Sequence, residues 1–349
     1  MDQAKLEQFL GKMVGDMGAA VSAALVITGD KLGLYKALAK DGPLSSEELA
    51  KSTGTTERYV REWLAAQAAS GYIEYDAGQN KFSMTAEQVM VFADDDSPVN
   101  MTGGYYSLAA VMSDEPKVAE AFRSGEGVSW GDHDSCLFCG VEKFFRPGYK
   151  ANLVSAWIPA LDGVDEKLKK GGKVADIGCG YGASTMVMAE AYPKSQFRGF
   201  DFHHPSIMHA RKMAQESGLP NVKFETVTAR KSPGSDYDLV AFFDCLHDMG
   251  DPVAAMTHAR EILKPDGTVL LVEPFAHDTL AENLNPVGRM YYSFSTTVCT
   301  PSALSQEGGM SLGAQAGEGR LKEVAMKAGF TRFRRATETP FNLILEARP

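Results

Sequence analysis

Val174-Ala175-Asp176-Ile177-Gly178-Cys179-Gly180-Tyr181-Gly182 is the stretch on which the reading of the chain turns. An apolar strand runs into an acid, then into glycines spaced G-x-G-x-G, and a helical segment begins near Ala183. Glycine lets the backbone bend sharply and approach a ligand closely because it has no Cβ. The spacing differs from the G-x-G-x-x-G of dinucleotide folds. Asp176, placed just before the glycines, would repel a diphosphate but can hold an ammonium group through charge-assisted hydrogen bonds. Nineteen residues after Gly182, Asp201 ends the run QFRGFD, where an acid can accept both hydroxyls of a ribose. Glycines alone would mean only a turn, and the two acids could merely cap loops. The ordered series strand, acid, glycines, helix, strand, acid points instead to a bound ligand.

From Gly172 onward, apolar strands alternate with helical segments, the pattern of a parallel sheet flanked by helices. The strands are KVADIG, QFRGFD, VKFETV, DLVAFFD and TVLLVEP, with helices starting near Ala183, Pro205 and Pro252. A last helix, RLKEVAMKAG, and two strands, FRRA and FNLILEA, complete an α/β, Rossmann-like domain over 169–349. No internal repeat or low-complexity segment interrupts it.

Residues 3–40 read as helical, with apolar positions at three and four spacing through Val21, Leu25, Leu32, Leu34, Tyr35 and Leu38. Ser45 and Ser46 ahead of Glu47 and Glu48 signal a helix start, Gly54 a turn, and Thr56 to Ala69 a second helix. YIEY and KFSMT, joined through Asp76-Ala77-Gly78, form a small hairpin, and together these elements make a winged helix. Residues 1–100 are therefore taken as a helical, winged-helix domain, and 101–168, helical but broken by glycine-rich turns, as a connector.

The glycine motif DIGCGYG resembles the first motif of class I S-adenosylmethionine-dependent methyltransferases, and Asp201 matches the ribose-binding acid of that family. DLVAFFDCLHDM, LKPDGTVLLVEP and AGFTRFRRA…FNLILEARP resemble its later strands, so the likeness covers about residues 150–349. It implies a seven-stranded sheet with an antiparallel last strand and S-adenosylmethionine as cofactor. Asp176, Gly178, Gly180 and Gly182 would hold the methionine end, Asp201 and Phe202 the ribose side. Thr228 and Ala229 would lie near the adenine, with Phe243 and Asp244 lining the cofactor. A more local similarity, carried by FDCLHDMGDP and NPVGR, is to bacterial methyltransferases with an N-terminal winged helix.

His247-Asp248 follows the fourth strand of this domain, on the rim where open α/β sheets bind ligands. Histidine takes a proton near neutral pH, as methylation of a hydroxyl or thiol requires. The pair is similar in placement to the His-Asp of plant-type O-methyltransferases, which also carry a dimerising winged helix. There the histidine is the base, and Glu273 at the end of LLVEP could orient it. The run HDM-GDP departs from their His-Asp-Trp, so the acceptor pocket must differ. A histidine bonded to its loop is the competing reading, since many methyltransferases need only proximity and alignment. Trp130, His133, Phe145, Arg289 and Tyr292 are candidates for the acceptor pocket, and the long segment 275–315 is a candidate lid. Arg289 could hold an acidic acceptor, or pair with Asp248 or Glu273.

His133, Cys136 and Cys139 lack a fourth ligand and a second paired cluster, so no metal is expected there. The five cysteines are odd in number and scattered, which suggests reduced thiols in the cytoplasm. The N-terminus lacks the order of a signal peptide, and no run of about 18 apolar residues stands out as a membrane span. A net charge of −10 argues against nucleic acid as a partner. The helix 56–69 balances Arg58 and Arg61 with Glu57 and Glu62, while Val60, Trp63, Leu64 and Ala68 form an apolar stripe suited to a helical dimer interface. The reading is a homodimeric methyltransferase acting on oxygen or sulfur of a small molecule. The alternatives are a DNA-binding regulator using the cofactor as ligand, an N-methyltransferase and an RNA methyltransferase.

Overall fold

In the computed structural model, which describes residues 1–349, Gly33 at φ 69° divides the helical run expected over 3–40 into α1 (Gln3–Lys31) and α2 (Leu34–Asp41). A side chain at that backbone angle is strained, so the chain turns where glycine stands. The contacts separate into two units, Met1–Ala110 with Cys139–Gly148, and Val111–Phe138 with Tyr149–Pro349. The segment read as a connector, 101–168, is thus shared out between them.

In the first unit, α3 (Ser46–Thr53) starts at a capping box in which the Ser45 hydroxyl accepts from the Glu48 N–H and Glu48 accepts from the Ser45 N–H. Then follow α4 (Glu57–Ala69), the antiparallel hairpin β1 (Glu74–Asp76) and β2 (Lys81–Ser83), α5 (Ala86–Phe92) and α6 (Thr102–Ser113). Val60, Trp63 and Leu64 of α4 are buried inside this unit against Val26, Tyr35, Leu38, Leu49 and Phe92. The stripe expected to face a partner is instead core, because a helical unit this small must spend its apolar side chains on itself. Tyr35 donates to Gln67 Oε1 at 2.5 Å and Trp63 Nε1 to the Leu25 carbonyl at 2.9 Å, so the buried polar tips are matched.

What remains uncovered is α1. Phe9, Leu10, Val14, Met17 and Val21 are exposed along it. Contrary to the sequence reading, α1 is by length and composition apolar enough to cross a bilayer.

The second unit holds α7 (Glu115–Ser124), most of the ends of α8 (Cys136–Asn152), and α9 (Val164–Lys170) ahead of the sheet. Strands and helices then alternate: β3 (Lys173–Ile177), α10 (Ala183–Ala191), β4 (Gln196–Asp201), α11 (His204–Glu216), β5 (Val222–Thr226), β6 (Tyr237–Phe243), α12 (Pro252–Ile262) and β7 (Leu263–Pro274). Segment 275–315 carries helix only in its middle, with α13 (Pro286–Phe294), a π-helical turn over Ser295–Cys299 and α14 (Thr300–Leu304). The chain closes with α15 (Gly317–Lys327), β8 (Arg332–Glu338) and β9 (Asn342–Arg348).

The sheet runs β5-β4-β3-β6-β7-β9-β8, all parallel except β9, which is antiparallel to both neighbours. Strand order reverses beside β3, and ligands bind in the crevice outside the carboxyl ends of strands at such a point. Every residue of β6 is buried, as a strand covered on both faces requires. Leu271 sits at the centre of this core, paired with Phe242 on one side and Leu345 on the other. Leu271→Ala should cost about 2–5 kcal/mol of stability, read as a lower urea midpoint with unchanged slope.

Candidate active site

The turn after β3 sets the site. Gly178, Gly180 and Gly182 all have positive φ, at 75°, 52° and 80°. A Cβ on Gly178 would stand 2.6 Å from the Cys245 sulfur, and one on Gly182 2.6 Å from the Phe224 ring. A Cβ on Gly180 would meet nothing within 4 Å. The outer glycines are therefore demanded by packing, while the middle one borders open space where a ligand can come up to the backbone. The Gly178 and Cys179 N–H groups both donate to the Phe200 carbonyl, at 2.7 and 3.1 Å, tying the turn to β4.

Asp176, at the end of β3, is fully buried. Its Oδ2 accepts from Ser184 Oγ at 2.7 Å and Thr185 Oγ1 at 2.6 Å, both in the first turn of α10. Its Oδ1 is buried without any partner. Burial outweighs those two hydroxyls and pushes the carboxyl up to about 6. A half-satisfied buried carboxylate is costly, and a cation donating to Oδ1 would relieve it.

Asp201 ends β4, as expected. Its Oδ2 accepts from the Gly180 N–H at 2.9 Å and its Oδ1 from the His203 N–H at 2.8 Å. It thus braces the glycine turn, and each oxygen keeps a lone pair for a ligand. Burial raises its carboxyl above the usual range. The Val227 N–H donates to the Asp201 carbonyl at 2.9 Å, which brings the turn holding Thr228 and Ala229 beside it. Phe202 is largely exposed, whereas Phe243 is buried and packs on Tyr149 with ring centres 5.4 Å apart.

Asp244 takes a left-handed backbone, φ 50°, at the end of β6. Its carboxyl accepts from Tyr149 Oη and Asn342 Nδ2, each at 2.9 Å. Burial, reinforced by Glu273, pushes it up to about 8, so it is largely protonated at neutral pH.

His247 and Glu273 meet. The imidazole Nδ1 lies 2.5 Å from Glu273 Oε2, while Glu273 Oε1 accepts from the Leu246 N–H at 3.0 Å. Glu273 is thereby fixed on the backbone and in turn fixes the ring. His247 Nε2 lies 3.2 Å from Asp248 Oδ1, and the Cys299 thiol contacts both residues. Burial opposes charge on the imidazole, yet Asp248 and Glu273 together raise it well above the ordinary histidine value. Burial and Asp248 push the Cys299 thiol up to about 12, so it is a donor at rest.

The acceptor-side candidates divide. Trp130 meets Phe138 at a tilt of 59°, and Phe138 packs on His203, at 5.5 and 4.8 Å between centres. His133 is buried with Nδ1 2.9 Å from Asp114, and its Nε2 has no partner. Arg289, exposed, and Tyr292, half-buried, lie on α13 in the same unit. Phe145 belongs to the first unit. Of His133, Cys136 and Cys139, where no metal is expected, His133 is bonded to Asp114 and Cys139 is exposed on α8.

Ser184, Thr185, Tyr149, Asn342, Asp114 and Cys299 escaped the sequence reading as site members. The two hydroxyls directly after the glycine motif were legible as partners for the acid. Tyr149 and Asn342 come from opposite ends of the unit and leave no local signal.

Because the Asp176 carboxyl is raised in the folded chain, the fold binds the proton more tightly than the unfolded chain does. That stability is present below the unfolded value near 4 and is lost as pH rises through about 6. Asp176→Asn removes the buried charge but keeps an acceptor for Ser184 and Thr185. It should therefore raise the stability of the ligand-free protein at pH 7.5 by up to about 3 kcal/mol, seen as a higher melting temperature, and leave it nearly unchanged at pH 4. Calorimetric scans at both pH values check this.

Residues 168–329 match the family model of a methyltransferase domain, and residues 19–93 that of an Rv2258c-like winged HTH domain. The tRNA (guanine-N(7)-)-methyltransferase of Halorhodospira halophila is 29% identical over 124 residues, covering 34% of this chain and 48% of that protein. The acetylserotonin O-methyltransferase of Mus musculus is 29% identical over 355 residues, covering 94% of this chain and 86% of that protein. The first curated relatives are matched over only about half their length. Human N-acetylserotonin methyltransferase, solved in complex with SAM, superposes with a TM-score of 0.68 at 18% identity, covering 100% of this chain and 98% of that one. At that identity the likeness speaks to the fold.

Proposed function

The chain belongs to the class I S-adenosylmethionine-dependent methyltransferases that carry an N-terminal winged helix, and we propose that it methylates an oxygen or sulfur of a small-molecule acceptor. The observation that carries this reading is the unpartnered Oδ1 of Asp176 beside the open face of Gly180. Those groups fit an ammonium and a close-lying ligand backbone.

Bound there, S-adenosylmethionine supplies an electrophilic methyl group on a sulfonium sulfur. Asp176 would hold the ammonium end, and Asp201, with Phe202 next to it, would take the ribose. Thr228 and Ala229 would border the adenine, while Phe243 and Asp244 would line the cleft. His247 accepts the acceptor's proton at Nε2, and Glu273 holds Nδ1 and stabilises the imidazolium. Asp248, 3.2 Å from Nε2, and Glu273 together raise the basicity of the ring, which favours its taking that proton. Trp130, His133, Arg289 and Tyr292 contribute to acceptor binding, with Phe145 assigned to the same role. The remaining acceleration comes from alignment of the in-line displacement and exclusion of water.

Residues 1–100 serve as the dimerisation domain, 101–168 as the connector and 169–349 as the catalytic domain. The exposed apolar side chains of α1 are the surface proposed to join two copies. Burying α1 in a cytoplasmic homodimer accounts for its apolar face without a membrane, and five free cysteines suit a reducing compartment. Light scattering should give twice the chain mass of 37.7 kDa.

A DNA-binding regulator is the second reading, favoured by the winged helix alone. Against it, Arg61 and Arg58 pair with Glu57 and Glu62 on their own helix, at 2.8 and 2.6 Å, rather than standing ready for phosphates.

Calorimetry with S-adenosylhomocysteine should show one site per chain; no heat would end the methyltransferase reading. His247→Ala should then lower turnover, measured over a panel of phenols and thiols, by about 100-fold or more. Affinity for S-adenosylhomocysteine should stay within about twofold of the parent. Parallel loss of both would make His247 structural.

A further inference from the structure

The residues around His247 have a second use that base catalysis does not absorb. One nitrogen of His247, one oxygen of Asp248 and the sulfur of Cys299 all lie within 4.8 Å of one another, and His247 and Cys299 are buried. The three donors are imidazole, carboxylate and thiol, the set that suits zinc and similar borderline ions. Their sequence separation differs from any familiar finger spacing: His247 and Asp248 follow β6, and Cys299 ends the π-helical turn before α14.

We propose that His247 Nε2, Asp248 and Cys299 form a three-ligand site for a thiophilic divalent cation, Zn2+ first among them, which occupies the position of the proton on the base and so holds the enzyme inactive.

The ring geometry supports this. Glu273 engages Nδ1 of His247, which leaves Nε2 as the atom facing Asp248 and Cys299. A carboxylate on the far nitrogen is the usual outer support of a metal-bound histidine. Asp248 Oδ1 is buried and makes no hydrogen bond, although it lies near the imidazole.

An independent observation comes from His133. Its Nδ1 is held by Asp114, which is also bonded by Lys117 Nζ at 2.7 Å and the Asp134 N–H at 2.9 Å, so the ring is fixed. Its buried Nε2 has no partner, and Asp248 lies within electrostatic range of the ring. With Nδ1 engaged, this nitrogen offers a lone pair.

Binding balances simply. The Cys299 S–H bond breaks, the electron pair stays on sulfur and forms the S–metal bond, and the proton leaves to solvent. The proton on His247 Nε2 leaves likewise as the N–metal bond forms. No oxidant or reductant takes part. With Nε2 coordinated, the base proposed above cannot accept a proton, so this inference rests on that reading for its consequence but not for the binding itself.

The test uses the full chain, stripped with a chelator and titrated with CoCl2 and then ZnCl2. One equivalent of Co2+ should give a thiolate-to-metal charge-transfer absorption that Zn2+ abolishes, with a Zn2+ dissociation constant below about 1 μM. The band should vanish in Cys299→Ala and persist in Cys136→Ser/Cys139→Ser. Glu273→Gln should weaken Zn2+ binding by about 10-fold. Titration of S-adenosylhomocysteine into the same samples reports folding and separates the two readings. Heat with the nucleoside but no cobalt band in the parent protein overturns the metal site alone, as does a band that survives Cys299→Ala. A cobalt band without nucleoside heat upholds the metal site and removes its inhibitory meaning together with the methyltransferase assignment.

Discussion

The carboxylate of Asp176 is the constraint around which the C-terminal unit is arranged. It is buried at the end of β3, where the strand order reverses, and only one of its oxygens is satisfied, by Ser184 and Thr185. The hydroxyls require α10 to start immediately after the glycine turn, and that turn requires three left-handed residues in five positions. Gly178 and Gly182 cannot carry side chains because Cys245 and Phe224 occupy that space. Asp201 then closes the bend by accepting the Gly180 N–H. A group that destabilises the fold is retained where a ligand's positive charge would compensate it, as functional sites commonly do.

The second centre of charge repeats this logic with a different result. Glu273, His247 and Asp248 are buried in contact, and the imidazole between the two carboxylates is more basic than a free histidine. Glu273 is fixed by the Leu246 N–H, so the ring it holds is fixed by backbone and not merely by another mobile side chain. Asp244, one turn earlier, is instead matched by Tyr149 and Asn342 and stays largely neutral. Neighbouring carboxyls thus take different protonation states according to the donors each is given.

Much of this unit was readable from the chain because its signals are local. The glycine spacing, the acids at strand ends and the alternation of strands and helices each lie within a few residues of what they predict. Strand by strand, 173–177, 196–201, 222–226, 237–243 and the final pair stand where periodicity puts them. The pairing of His247 with Glu273 was also legible, since His247 follows β6 and Glu273 lies at the end of the adjacent parallel β7. What was not legible depends on tertiary context. The apolar stripe of α4 could serve a core or an interface, and only the packing of Trp63 and Leu64 against Tyr35 and Val26 decides for the core. Cys299 reads as one scattered thiol until the π-helical turn carries it to His247. Gly33 lay inside a helical pattern that its own φ interrupts.

The sheet order has a consequence for how the chain reaches this state. Val174 pairs with Leu239, and Val269 with Ala347, so neighbouring strands wait for distant sequence to arrive. The helices and short hairpin of the first unit make nearer contacts, between α3 and α4 or β1 and β2. Long-range strand pairing is slow because the loop must close before its contacts form. During synthesis the N-terminal helices can therefore condense first, while β6, apolar on both faces, stays exposed until its partners leave the ribosome. In that interval the nascent chain is at its most vulnerable to aggregation, and cooler, slower expression favours recovery of the native protein.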